Sequence, residues 1–306
     1  SGDLMRIVSL LPSATEMVYA LGLGDALVGV THECDFPEAA KSLPPVVRPA
    51  LNLEGLSQSE IDAAVSARLR EGKTLYEIDE KLLLDLDPDI ILTQDLCQVC
   101  APSGNELSRA VMVLPNKPKL IWMTPRNLAG VKENILELAQ AAGVETRAVQ
   151  LFADWDQRIA AVEARSNMLA NRPRTFCVEW IDPLFCAGHW IPEMMRLAGG
   201  DEGLGREGEE SIRIDWQRVR DFKPERIFIM SCGYPLPQAI EQADLIKKYE
   251  GLSDLPAVQS GEVYVVDSNA FFARPGPRLV DGAELLSHLL TGAAWNGPEA
   301  YAKLKL

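Results

Sequence analysis

A short helix followed by X-Pro-X and an apolar strand occurs twice in this chain, once in each half. The two copies are LLLDLDPDIILTQD (residues 82–95) and RVRDFKPERIFIMSCG (residues 218–233). In the same way, MVYALGLGD (residues 17–25) is paralleled by MMRLAGGDE (residues 194–202). Proline disfavours helical backbone in the residue before it, so each copy changes from helix to strand at its proline. Almost wholly apolar strands are typical of parallel sheets covered on both faces. The repeat therefore predicts two similar α/β halves.

The remaining segments alternate in the same way. RIVSLL, ALVGVT, KLIWMT and RTFCVEW have the pattern of strands, and SATEMVYALGLGD, NLAGVKENILELAQAAG and WIPEMMRLAGG have the pattern of helices. Ser13 is the expected N-cap of the first helix, with Glu16 three residues later. Between the halves, DWDQRIAAVEARSNMLANRP has apolar residues near helical spacing and lacks a Gly/Ser linker. We predict an N-terminal lobe at 5–150, one long rigid joining helix at 151–172 and a C-terminal lobe at 173–306.

Composition limits the class of protein. The chain has 306 residues, 47% of them hydrophobic, and a formal charge of -14. This acidity argues against nucleic acid or an anionic membrane surface as a partner, because both require a basic face. We expect a monomer. For location, two interpretations stay open: Met5 is the native start of a cytosolic protein, or an export signal has been removed from a periplasmic protein or extracytoplasmic lipoprotein.

Histidine and cysteine residues follow the predicted strands. His32 and Cys34 come after ALVGVT, and Cys97 and Cys100 come after DIILTQ. Ligands of open α/β sheets bind outside the carboxyl ends of the strands, so these residues are expected to line a cleft between the lobes. Three interpretations of the group stay open: a tetrahedral metal site or a cobalt ligand, a redox disulfide of the CxxC pair, or small loop residues with no joint role.

Catalytic motifs are missing from the sequence. It contains no G-x-G-x-x-G loop in a strand-helix context, no GxxxxGK[ST] and no G-x-S-x-G. We therefore predict that the chain is not an enzyme and requires no cofactor.

Three segments together resemble a known family. RIVSLLPSATEMVYALGLGDALVGVTHECDFP, LDPDIILTQ and VVDSNAFFARPGPRLVDGAELL are similar to class III periplasmic binding proteins of ABC importers, and most similar to the cobalamin-binding branch. Siderophore and haem binders are related. The resemblance implies two Rossmann-like lobes joined by a rigid helix, with cobalamin, another corrinoid or a metal chelate captured in the cleft and presented to an ABC permease.

The resemblance also implies roles for particular residues. Rigid aromatic side chains suit a large, flat, mostly apolar ligand, and an arginine can meet its polar substituents. The ligand-binding candidates are Phe36, Glu179, Trp180, Trp190, Phe271, Phe272 and Arg274. One acid from each lobe would dock onto the permease, and the candidates are Glu106 and Glu241. The alternative hypothesis is a cytosolic metal-handling protein or enzyme on the same scaffold, using His32, Cys34, Cys97 and Cys100.

Overall fold

The computed structural model describes residues 5–94, 107, 110–112 and 114–306. The chain forms two compact units, Ser1–Pro125 with Ala129–Phe152, and Arg126–Leu128 with Ala153–Leu306. Each unit contains a sheet of mainly parallel strands with helices, which confirms the predicted α/β fold class.

The sheet of the first unit has the strand order β4-β3-β2-β1-β5-β6 in the described part of the chain, and only the β3–β4 pair is antiparallel. The strands are β1 (Ile7–Ser9), β2 (Leu27–Thr31), β3 (Pro45–Pro49), β4 (Tyr76–Ile78), β5 (Ile90–Thr93) and β6 (Lys119–Trp122). The helices described between residues 5 and 166 are α1 (Pro12–Ala20), α2 (Gln58–Arg70), α3 (Glu80–Leu86), α4 (Leu128–Ala142) and α5 (Glu145–Ser166), and α5 continues past the unit boundary. Short 3-10 turns lie at Gly24–Ala26 and Glu38–Ser42. The chain order reverses between β1 and β5, so this is the switch point of the sheet.

The sheet of the second unit has the order β10-β8-β7-β11-β12-β13 among the described residues, and β9 pairs with β7 in addition. Its strands are β7 (Arg174–Trp180), β8 (Phe185–Cys186), β9 (Asp201–Glu202), β10 (Ile212–Arg213), β11 (Arg226–Ile229), β12 (Val263–Val266) and β13 (Tyr301–Lys303). Its helices are α6 (Ile191–Ala198), α7 (Trp216–Phe222), α8 (Leu236–Ala243), α9 (Pro256–Gln259), α10 (Ser268–Phe271) and α11 (Leu279–Thr291), with 3-10 turns at Asp244–Lys248 and Leu252–Asp254. The parallel centre, β7-β11-β12, is buried, and the chain order reverses between β7 and β11.

The sequence repeat is also a structural repeat. Helices α3 and α7 are each capped by an aspartate side chain, Asp79 and Asp215, that accepts a backbone N–H of the first turn. Both end in a left-handed residue, Asp87 (φ 43°) and Lys223 (φ 52°), directly before the proline of the repeat. The same caps therefore turn the chain into β5 in one unit and into β11 in the other.

Two predicted helix boundaries need correction. Helix α1 starts at Pro12, with Leu11 at the N-cap position and no side-chain cap, so the prediction of Ser13 as N-cap is wrong. Proline is favoured in the first turn because its missing N–H has no partner there in any case. Helix α5 starts and ends six residues earlier than the predicted segment 151–172, because Gly143 ends α4 with a positive φ and α5 begins only two residues later.

Helix α5 is joined to α11 by an ionic cluster within the second unit. The Arg158 guanidinium donates to both carboxylate oxygens of Glu284, over 3.0 Å and 2.7 Å, and also to Asp281. These contacts raise the pKa of Arg158 further above its already high value. In the described part of the chain, no helix has the length and apolarity that crossing a membrane requires.

Candidate ligand-binding site

Aromatic side chains are exposed at the carboxyl edge of the first sheet. Phe36, in the loop after β2, is 45% exposed, and Trp122, the last residue of β6, is 40% exposed. His32 lies in the same loop as Phe36, with Nδ1 at 3.1 Å from the Val47 carbonyl oxygen and its ring centroid 6.1 Å from that of Tyr76. Because open α/β sheets bind ligands at the carboxyl ends of their strands, these two exposed rings are candidate ligand contacts.

The thiol of Cys34 points into the first unit. Cys34 is 5% exposed, and its Sγ lies 3.1 Å from Thr15 Oγ1 and 3.8 Å from Thr31 Oγ1. The thiol thus contacts α1 and β2, whereas the His32 ring contacts β3. Cys97 and Cys100, the other two predicted metal ligands, lie outside the described residues. Among the described residues, no group of three His, Cys, Asp or Glu side chains is arranged to hold a metal ion. A metal site at this loop stays a hypothesis.

An aromatic pair lies at the switch point of the second sheet. Trp180 ends β7 and Tyr234 follows β11, and their ring centroids are 5.4 Å apart in an edge-on arrangement. Trp180 is half-buried and Tyr234 is 8% exposed. Burial raises the pKa of Tyr234 above its ordinary value, so its hydroxyl stays protonated at neutral pH. This is the position at which open α/β sheets bind ligands.

A polar network fixes the loop beside this pair. Glu179 precedes Trp180, and its carboxylate accepts a hydrogen bond of 2.6 Å from the Ser211 hydroxyl. Ser211 Oγ in turn accepts the Gly188 backbone N–H over 3.0 Å. The Cys232 N–H donates to the Glu179 carbonyl oxygen over 3.0 Å, which connects the ends of β7 and β11. Glu179, a predicted ligand residue, therefore has a structural partner that holds its carboxylate in place.

Three of the predicted aromatic ligand residues are buried within the second unit. Phe272 is 2% exposed, Phe271 is 6% exposed, and the Trp190 indole N–H donates to the Phe272 carbonyl oxygen over 2.8 Å. Arg274, in the same segment, is half-buried. A side chain enclosed by its own unit presents little ring face to a ligand in this conformation, so the roles of these residues stay predictions.

His189 has an unusual environment close to Trp190. Its φ is 53°, and its backbone N–H donates to the Glu209 carbonyl oxygen. Its Nε2 atom is buried without a hydrogen-bond partner among the described residues, and burial lowers the pKa of the ring. The imidazole is therefore neutral at physiological pH and packs 5.3 Å from the Trp190 ring.

The predicted docking acids differ in what the structure describes. Glu106 lies outside the described residues. Glu241 is exposed on α8, beside Ile240, which is an exposed apolar residue. Its position is compatible with a surface contact and does not test it.

A cavity of about 550 Å³ lies at the opposite edge of the second sheet, near the amino-terminal end of β7. Its lining includes Arg172, Arg196, Glu202 and Glu207. Arg196 is already paired with Glu207, at 2.6 Å from Nε to Oε1, and the Glu202 carboxylate is occupied by backbone donors. Because its charged groups are satisfied internally, the cavity is a weaker candidate than the aromatic carboxyl edge.

Sequence reasoning did not single out Trp122 as a candidate, whereas Tyr234 follows the apolar strand of the second half and is expected at its strand end. Trp122 is the last residue of β6. The signal that could have found it is positional, because an aromatic residue at the carboxyl end of a parallel strand lies at the edge where open α/β sheets bind ligands.

The chain belongs to a family of periplasmic binding proteins, because the model of that family matches residues 7–270. A vitamin B12-binding protein of Vibrio vulnificus is 23% identical over 274 residues, which cover 89% of this chain and 85% of that protein. An uncharacterized ABC transporter substrate-binding lipoprotein of Bacillus subtilis is 24% identical, covering 92% of this chain and 78% of that protein. A solved periplasmic heme-binding protein of Pseudomonas aeruginosa has a TM-score of 0.70 at 22% identity and covers 95% of this chain and 94% of that one. The predicted family is confirmed, and the alternative of a cytosolic metal-handling protein or enzyme has no support.

Proposed function

We propose that this protein captures cobalamin, a related corrinoid or another metal chelate and delivers it to an ABC permease. The observation that carries the proposal is the Trp180–Tyr234 pair at the switch point of the second sheet. Each unit places aromatic rings at its carboxyl edge, Phe36 and Trp122 in the first and Trp180 in the second. Relatives that bear the names vitamin B12-binding protein and heme-binding protein support this ligand class.

The chemistry of the edge suits a flat ligand with an apolar face and a polar rim. Aromatic rings bury a large area while losing few side-chain rotamers, so they contribute binding energy at a low entropic cost. Around Trp180, Tyr234 supplies a protonated hydroxyl, and Glu179 and Ser211 form a fixed polar pair. Such groups orient the amide or carboxylate substituents that a corrinoid or porphyrin carries on its rim.

The remaining parts of the proposal follow from the family. The protein acts as a binding protein without catalysing a reaction, exported to the periplasm or anchored as a lipoprotein, as the Bacillus subtilis relative is described. Glu241 and Glu106 are the proposed contacts with permease arginines. The exposed carboxylate of Glu241 suits this role, because arginine binds carboxylates with two parallel hydrogen bonds.

Titration calorimetry with cobalamin, haem and a ferric siderophore tests the function. We expect saturable binding of cobalamin or haem and a higher melting temperature of the complex, because a ligand that binds only the folded state stabilises it. Lack of binding and of a thermal shift with all three ligands would contradict the proposal.

The variant Trp180→Ala tests the site. Loss of one stacked ring costs roughly 1–3 kcal/mol, so we expect affinity to fall by about 5-fold to 150-fold. Phe222→Ala is the matched control: Phe222 is a half-buried aromatic of the same unit, but it lies near the start of β7, where its carbonyl oxygen accepts from Arg174. Equal affinities of the two variants would show that the site is misplaced.

A further inference from the structure

We infer that Trp295, near the C-terminus, is an aromatic residue of the second unit that contacts the ligand. It takes the role that the family resemblance assigns to Phe271 and Phe272. This inference rests on the proposed function and adds a ligand-contacting residue to it. It concerns the segment that joins α11 to β13, residues 293–300, which we call the strap.

The strap is held at both ends by one histidine. The His288 ring, in the last turn of α11, is hydrogen-bonded through Nδ1 to the Ala293 carbonyl oxygen and through Nε2 to the Tyr301 hydroxyl, the latter over 3.0 Å. The far end is also fixed by the Asp267 backbone N–H, which donates to the Ala300 carbonyl oxygen over 2.8 Å. Because β13 runs antiparallel to β12, the end of the strap lies at the carboxyl edge of β12. The strap is therefore anchored at the edge where the sheet is expected to bind its ligand.

Trp295 covers Phe271. The two rings meet edge to face, with centroids 6.0 Å apart and an interplanar angle of 88°, which is a favoured aromatic geometry. Phe271 is buried, whereas Trp295 is only half-buried. The aromatic surface that this part of the edge offers to a ligand thus belongs to Trp295.

The strap holds the indole in one orientation. The Trp295 N–H donates to the Pro298 carbonyl oxygen over 2.8 Å. Gly297 packs against the ring so closely that a Cβ atom there would lie 2.2 Å from it, so a larger residue would require the indole to move. A pre-oriented ring loses little side-chain entropy on binding, which suits a ligand contact.

Trp295 continues the line of aromatic residues that begins at Trp180. Trp180 contacts Tyr234, and the Tyr234 carbonyl oxygen accepts the Asn269 N–H over 3.1 Å in the helix that carries Phe271. β7, which ends in Trp180, and β12, which leads into the helix that carries Phe271, are separated only by β11, so these two strands are about two strand spacings, or roughly 10 Å, apart. Aromatic residues spread over this length suit a flat macrocycle better than a compact ligand.

Calorimetric titration of the unmodified protein, Trp295→Ala, Trp295→Phe and Phe271→Leu with whichever of cobalamin, haem and a ferric siderophore the unmodified protein binds tests the inference. We expect affinity to fall by about ten-fold in Trp295→Ala, to be largely retained in Trp295→Phe, and to change less than about two-fold in Phe271→Leu, which keeps an apolar support under the strap. Melting temperatures of all variants and the Phe222→Ala control separate loss of contact from loss of stability.

Two outcomes would overturn the inference, and they can be told apart. If the unmodified protein binds none of cobalamin, haem and the ferric siderophore, the proposed function and the role of Trp295 fail together. If the unmodified protein binds but Trp295→Ala binds equally well or more tightly, the proposed function stands and the strap covers Phe271 without contacting the ligand.

Discussion

Glu202, in β9, is expected to make the second unit less stable as the pH rises through neutrality. Its carboxylate accepts three backbone hydrogen bonds, from Cys177 over 2.8 Å and from Leu204 and Gly205 over 3.0 Å each. Enclosure away from water raises the pKa of Glu202 to about 7, although the three donors oppose this rise.

The direction of the effect follows from proton linkage. The ordinary pKa of a glutamate, about 4.5, applies to the unfolded chain. Since the folded state holds this proton more tightly, the stabilisation is complete below the ordinary pKa and is lost as the pH rises through about 7. The loss between about pH 5.5 and about pH 8 is roughly 2 kcal/mol.

Urea unfolding of the native chain and of Glu202→Gln at these two pH values tests the effect. Tryptophan fluorescence reports mainly on the second unit, because only Trp122 of the six tryptophans lies in the first. The difference in free energy of unfolding between the native chain and the variant should change by roughly 2 kcal/mol across this range. Glu207→Gln is the matched control, because Glu207 lines the same cavity but is exposed and paired with Arg196. If Glu202→Gln has the same pH dependence as the native chain, the reasoning is refuted.

Three further predictions follow from local contacts. Arg158→Met should lower the free energy of unfolding by about 1–3 kcal/mol, because it leaves the carboxylates of Asp281 and Glu284 without their cation; an unchanged urea midpoint would contradict this. Ser57→Ala should lower the free energy of unfolding by about 1 kcal/mol in the same assay, because Ser57 forms a capping box with Glu60 at the start of α2. An unchanged free energy of unfolding would show that α2 does not depend on its cap. A thiol reagent should modify the exposed Cys232 before the buried Cys34, Cys177 and Cys186. Peptide mass spectrometry of the labelled native protein measures the order. Labelling of a buried thiol before Cys232 would contradict this prediction.

The predicted cysteine and histidine group shows where strand-end reasoning is insufficient. His32 and Cys34 are two residues apart at the end of β2, yet the ring contacts a β3 carbonyl and the thiol contacts Thr15 of α1. Spacing along a loop does not determine side-chain direction, because loop backbone lacks the regular period of a strand or helix. In the same way, the family resemblance implies that Phe271 and Phe272 contact the ligand, but Phe271 closes a short helix and both rings are buried.

The sequence by itself determined the α/β class, the family and the duplicated helix-Pro-strand units. The duplicated units follow from local signals, which act within a few residues of the chain. Examples are the aspartate caps and the left-handed residues before Pro88 and Pro224. Only the tertiary structure decided which aromatic rings are exposed at the carboxyl edges, because exposure depends on segments far apart in sequence. Trp295 lies 24 residues beyond Phe271 in the sequence. The two rings meet because the strap leads from α11 into β13, and β13 pairs with β12, the strand that precedes the helix carrying Phe271. No periodicity or spacing in the sequence encodes that contact.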